Sequence, residues 1–251
     1  MGRMTSVFRV LCVSALSLFP VLAYAQAAAP LPPPRQEGTA EVAFVGTTGN
    51  ISTSTFSAGG EHIVRPVNWM VRNRAQAVRG TVEGATTAES FLYNFRAERV
   101  LNARLSAFGD YGFFRDKPAG VTSRNAVAGG LSLKAIADAR QTLSLDGGLG
   151  YLDESRVAGD DVSSAIWLTG ATYKLKLSDT AELTDDLRLL GTFDQGDDWR
   201  LTHSIGVTAR LTTLLSLKVS NTLRYANFPP AGFKKTDTTT ALALVASFKR
   251  Q

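Results

Sequence analysis

The sequence predicts an all-β protein, an antiparallel up-and-down transmembrane β-barrel of about twelve strands. Two observations predict it. Apolar and polar residues alternate with a period of two in segment after segment from about residue 38 onward, and successive side chains of a strand point to opposite faces. The connections between segments also alternate between short and long, which makes a hairpin the repeating unit. No apolar run beyond the first 25 residues approaches the roughly 20 residues of a membrane helix. Hydropathy misses barrels, because their signal per strand is weak.

Residues 1–25 read as a secretory leader, outside the fold. Arg3 and Arg9 form its basic start, "VLCVSALSLFPV" its apolar stretch, and Ala23-Tyr24-Ala25 a cleavage site. Residues 26–37, opening "QAAAPLPPPRQ", read as a proline-rich periplasmic tether. The barrel is expected over 38–251. Its strands fall at about 38–46, 51–63, 68–80, 87–98, 102–115, 122–135, 141–152, 164–176, 180–193, 199–211, 214–226 and 237–249.

Asn73 and Arg79 spoil the apolar stripe of the third strand. In the fifth, Leu105, Ala107, Gly109, Tyr111 and Phe113 oppose Arg104, Ser106, Phe108, Asp110 and Gly112. The seventh, "LSLDGGLGY", opposes leucines and Tyr151 to Ser144, Asp146, Gly148 and Gly150. The eighth opposes Trp167, Ala171 and Tyr173 to Gly170, Thr172, Lys174 and Lys176, and the eleventh opposes Leu217, Val219 and Leu223 to Lys218, Ser220 and Arg224. Asp185 falls on the apolar side of the ninth, where nothing in the sequence accounts for it.

Short turns are expected around "VLN", "ADAR", "LSDT" and "LTTL". Longer loops are expected at 83–89, 115–123, 153–164, 194–198 and 228–237, with Gly49-Asn50 as a short exception.

Alternation alone fits a soluble barrel as well as a membrane one. Four features favour the membrane. The strands run to about 11 to 14 residues, against a mode near 5 or 6 in soluble sheets. Twelve strands make a wide barrel that leucine, alanine and glycine would not fill. Aromatics fringe the apolar stripes, as at Tyr93, Tyr111, Tyr151 and Trp167. Short turns gather at one end and long loops at the other. The apolar face then meets outer-membrane lipid and the polar face lines the interior.

Three segments carry a resemblance: "ARLSAFGDYGFFRDKPAGVTSRNAVAGGLSLK" (103–134), "TLSLDGGLGYLDE" (142–154) and "NFPPAGFKKTDTTTALALVASF" (227–248). With "YKLKLSDTAEL" (173–183), they resemble the YdiY-type, salt-induced outer-membrane protein family, a domain of unknown function. The resemblance implies a Gram-negative outer-membrane barrel inserted by the barrel-assembly machinery and assigns no activity or site residue. Phe248 is followed by Lys249, Arg250 and Gln251, a departure from the terminal aromatic such barrels commonly present.

The formal net charge of +5 falls by two, for Arg3 and Arg9, to +3 without the leader, which is too little and too dispersed for nucleic acid. The one cysteine, Cys12, lies in the leader, leaving no thiol for a disulfide or metal. No phosphate loop, zinc motif or nucleophile elbow occurs, and no cofactor or enzymatic activity is expected. His203-Ser204 is the one pair that suggests a lipid-modifying barrel, but strand neighbours point to opposite faces.

The interior is the better lead. Arg104, Asp110, Lys134, Asp146, Lys174, Lys176, Arg188, Arg210, Lys218 and Arg224 are expected to line it, with basic groups in excess. They suggest a monomer that is a narrow, anion-leaning channel or an envelope-stress barrel, the alternative being a purely structural barrel plugged by salt bridges, with interaction loops. The aspartates of "DESRVAGDD" (153–161) suggest divalent cations or lipid headgroups, although such runs are more often a solvated loop.

Overall fold

The computed structural model describes residues 34–47 and 53–250; the leader, most of the tether and the Gly49-Asn50 turn lie outside the described residues. Twelve strands follow one another: β1 (Gln36–Thr47), β2 (Thr53–Val64), β3 (Trp69–Val82), β4 (Ala85–Val100), β5 (Leu105–Asp116), β6 (Val121–Ala137), β7 (Gln141–Arg156), β8 (Val162–Lys176), β9 (Ala181–Thr192), β10 (Trp199–Arg210), β11 (Leu215–Ala226) and β12 (Thr236–Arg250). Each pairs antiparallel with its neighbours, and β12 closes on β1 from Gln36↔Arg250 to Val42↔Leu244. Closure pairs every edge, and an even count returns the last strand to the end where the first began. The expected fold class and every strand are present. β1 starts two residues before the expected barrel boundary, at Gln36.

The period-two pattern separates outside from inside. Leu149 is 64% exposed on the outer wall, while Leu152 on the same strand, facing inward, is 0% exposed. Outward positions match across strands, as in Phe44↔Phe56, Leu149↔Trp167 and Leu217↔Leu244. The inner face carries Arg96, Glu98, Asp110, Glu154 and Arg200, all buried. A soluble barrel has the opposite polarity.

Four turns repeat one device. Asn102 Oδ1 accepts hydrogen bonds from the N–H groups two and three residues on, Arg104 and Leu105. Asp138 does the same with Arg140 and Gln141, Ser178 with Thr180 and Ala181, and Thr212 with Leu214 and Leu215. Such side chains mimic a backbone turn, which is why Asn, Asp, Ser and Thr recur here.

The turns are also tied sideways. Arg104 O accepts from Lys134 N, Arg140 O from Lys176 N, Thr180 O from Arg210 N and Leu214 O from Ser247 N. Removing one cap, as in Asp138→Ala, should lower stability by about 1 kcal/mol, read as a small drop in the temperature at which the folded barrel's gel mobility is lost. Burial works against the Asp138 carboxylate, but the donated N–H groups of Gln141 and Arg140 together more than offset it, so its pKa lies below the ordinary 3.8. That stabilisation is present above pH 3.8 and disappears as pH falls through the lower folded value.

At the other end, the loop expected over 83–89 is instead a two-residue turn. Glu83 and Gly84 have φ 49° and 80°, the positive pair that a type I′ hairpin needs. Thr86, Thr87 and Ala88 are β-compatible and extend β4. The loops after β5 and β7 are shorter than expected because the strands run on, β7 reaching Arg156, whereas the loop after β9 also takes in Phe193. In the tight loop after β5, Asp116 caps a single 3-10 turn and Gly120 leaves it at φ 85°.

The glycines of "LSLDGGLGY" have a geometric cause. A Cβ on Gly130 would lie 2.1 Å from Gly147 O, and one on Gly150 would lie 2.1 Å from Val127 O. β6 and β7 bend so closely that these inward positions hold only hydrogen. Gly147, which points outward, has nothing within 4 Å of a Cβ.

Candidate functional site

Two ionic networks occupy the interior. The central one starts at Arg96 on β4. Its Nε donates to Glu98 Oε1 at 2.6 Å, its Nη1 lies 2.9 Å from Asp146 Oδ2 and 3.3 Å from Asp110 Oδ2, and its guanidinium stacks 3.9 Å over Phe108. Arg188 on β9 reaches Asp110 on β5 at 3.0 Å. β5 and β9 are four strands apart, so the bridge crosses the interior as a chord. The inward glycines of β6 and β7 leave room for Phe108, whose ring lies against Gly148, while Asp146 of β7 joins the network itself.

The second network lies toward the loop end and is centred on Glu154, whose side chain is 0% exposed. Its Oε2 accepts from Arg124 Nε at 2.5 Å, and its Oε1 accepts from Arg156 Nε at 2.8 Å and Arg200 Nη2 at 3.3 Å. Asp198, in the loop after β9, lies 3.2 Å from Arg200 and 3.8 Å from Arg156. Burial pushes the Asp198 carboxyl above its ordinary value, against the pull of Arg200. Phe114 packs under Arg124 and Arg224, and Phe228 under Arg156. Planar guanidinium groups suit such sites, since one can serve two carboxylates and an aromatic face, as Arg156 does with Glu154, Asp198 and Phe228.

The expected interior residues divide into four groups. Asp110, Asp146 and Arg188 meet in the central network. Lys218 instead pairs with Glu41 across β12 at 2.8 Å, and Arg224 sits beside Phe114. Lys134, Lys174, Lys176 and Arg210 share the inward parity near the turn end and are exposed, and none is in an ion pair among the described residues. Arg210 donates to Asp179 O. Arg104 lies in the turn after β4, before β5 begins.

Sequence reasoning missed Glu154, Arg156 and Asp198 because 153–164 and 194–198 both read as loops. The inward parity of Asp146, Gly148 and Gly150 carries on through Leu152, Glu154 and Arg156. The interior is also less uniformly polar than expected, since Phe108, Leu152, Ile166 and Leu168 point into it and are buried.

Asp185 now has an account. It is outward and lies 2.7 Å from His203 Nε2, also outward. Ser204 faces the other way and shares a 2.9 Å hydrogen bond with Thr222, so His203 and Ser204 do not act on one another.

A closed, twelve-stranded antiparallel barrel with an apolar outer wall and an ionic interior is the architecture of outer-membrane β-barrels. The chain belongs to the family described as a protein of unknown function, DUF481, whose model matches residues 40–248. No curated protein matches it in sequence.

Among solved structures, it is similar to the COG4313 outer membrane channel from Pseudomonas putida F1. The identity is 12%, coverage is 91% of this chain and 100% of that one, and the TM-score is 0.51. It also aligns with a NanC porin (8% identity, 86% and 99% coverage, TM-score 0.49). A third alignment is with the translocator domain of the autotransporter NalP from Neisseria meningitidis (12% identity, 97% and 94% coverage, TM-score 0.47). At these identities the likeness is one of fold.

Proposed function

We propose that the protein resides in the outer membrane and provides a narrow passage that favours small anions. The carrying observation is the uneven distribution of its inward charges. On the side formed by β4 to β10, the charged groups are mostly locked together; Glu154 and Asp198 are 0% and 1% exposed. On the opposite side, Lys218 and Glu41 keep 24% and 21% exposure, and Arg72 and Glu61 31% each. Water and ions are expected to pass along this second side.

At the turn end, Lys134, Lys174, Lys176 and Arg210 line the β6 to β10 arc of the mouth, with Glu182, opposite Lys176, and the turn residues Asp138 and Asp179 as nearby acids. A confined excess of one charge biases which ions enter. Resemblance to the YdiY-type, salt-induced barrels supports a role under osmotic load, in which traffic of small ions matters.

The test is planar-bilayer recording. Purified protein should give small conductance steps with a reversal potential displaced toward anions. Lys174→Glu with Lys176→Glu should move that potential toward cations without loss of folded protein. An absence of steps at either polarity rejects the passage.

A further inference from the structure

Arg79 and Arg115 place positive charge on the loop-end half of the largely apolar outer wall, and the interior does not use them. Both point outward near the loop end: Arg79 is aligned with Phe56 and Arg115 with Phe91. Among the described residues they are the outward-pointing arginines of that half of the wall. They border a groove of about 210 Å³ lined by Phe56, Ala77 and Phe91. Directly toward the turn end lies an outward aromatic field, with Phe91 and Phe113 6.0 Å apart and Tyr93 and Tyr111 6.4 Å apart.

One carboxylate competes. Glu89 stands opposite Arg79 in register without forming an ion pair with it, and reaches Arg115 only at 3.8 Å. The Nε of Arg115 is buried with no hydrogen-bond partner. The site therefore holds two cations, one loosely held anion, an unsatisfied donor and an apolar track running down the wall.

We propose that this groove binds the phosphorylated headgroup of an outer-leaflet glycolipid, with Arg79 and Arg115 on the phosphate and an acyl chain over Phe56, Phe91 and Phe113. Rings at the ends of an apolar band mark the lipid–water interface, and the two arginines lie just beyond them, at the depth of headgroups. A guanidinium matches a phosphate with paired donors and retains its charge at any relevant pH. A lipid is favoured over a soluble anion because the site is on the outer wall and continues into an apolar track. The inference rests on the membrane placement proposed above.

The experiment uses the full chain reconstituted in vesicles of neutral phosphatidylcholine containing a trace of diphosphorylated lipid A, followed by native mass spectrometry after detergent extraction. The wild-type protein should retain phosphorylated lipid A in preference to phosphatidylcholine. Arg79→Ala with Arg115→Ala should retain at least tenfold less, and Arg79→Lys with Arg115→Lys should retain an intermediate amount. Heat-dependent gel mobility establishes that each variant is folded.

Equal retention by the wild type and a folded double-alanine variant overturns the site. Displacement of the lipid by inorganic phosphate at equal concentration also overturns it, in favour of a free-phosphate site. Failure of the wild type to insert into vesicles overturns the membrane placement itself, an outcome separable from a barrel that inserts but shows no lipid preference.

Discussion

Glu154→Ala should be among the most damaging single substitutions in this protein, costing about 3–5 kcal/mol, the usual penalty when one partner of a buried ionic cluster is removed. Among the described residues Glu154 is the only carboxylate that Arg124 contacts, and it is shared with Arg156 and Arg200. Without it, three guanidinium groups crowd together with only Asp198, which reaches two of them.

Two effects should be measurable. The temperature at which folded gel mobility is lost should fall by roughly 10 °C. The loop half of the interior should also open, since mutual repulsion of Arg124, Arg156 and Arg200 drives them apart, and conductance should rise. Glu154→Gln keeps the volume and some hydrogen bonds but loses the charge, so it should fall between the two. A Glu154→Ala protein as heat-resistant as the wild type would mean the cluster is hydrated and loosely held.

The second large effect concerns glycine. Gly150→Ala and Gly130→Ala each place a methyl group within 2.1 Å of a backbone oxygen of the neighbouring strand. Backbone cannot swing aside as a side chain can, so β6 and β7 must separate or lose their bend. Overpacking commonly costs 1–3 kcal/mol, and about the top of that range or more is expected here. The readout is the yield of folded barrel on refolding into detergent. Gly147→Ala is the control: it lies three residues from Gly150, points outward, and has open space around a Cβ. Similar yields for Gly147→Ala and Gly150→Ala would disprove the close approach.

Much of the fold was legible in the sequence because alternation is a local signal. Each inward or outward assignment needs only the parity of a residue within its strand, and Leu149 against Asp146 suffices to orient β7. What happens at the ends of strands was less legible. Thr86 to Ala88 are small and polar like a loop, and only the positive φ values of Glu83 and Gly84 reveal a tight hairpin. Glu154 and Arg156 were hidden for the same reason, since a charged run at a strand end resembles a solvated loop until its partners across the barrel are known.

Those partners are non-local: Arg188 and Asp110 are 78 positions apart, and Lys218 and Glu41 are 177 apart. No spacing rule connects such pairs; closure of the barrel does. Asp185 is a smaller case of the same kind. It spoils an apolar stripe in one strand and becomes intelligible when His203 arrives on the next.

The central claim is that the apolar face of every strand looks out into lipid and the charged face looks in. It is tested most directly with single cysteines, introduced into a Cys12→Ser background that has no other thiol. Leu149→Cys and Val219→Cys, on the outer wall, should resist a charged maleimide and, carrying a fluorophore, be quenched by nitroxides on lipid acyl chains. Ser144→Cys and Lys174→Cys, on the inner face, should react with the charged maleimide and escape that quenching. The reverse pattern, with Leu149 and Val219 open to the aqueous reagent and Ser144 and Lys174 quenched from the lipid, would contradict the account.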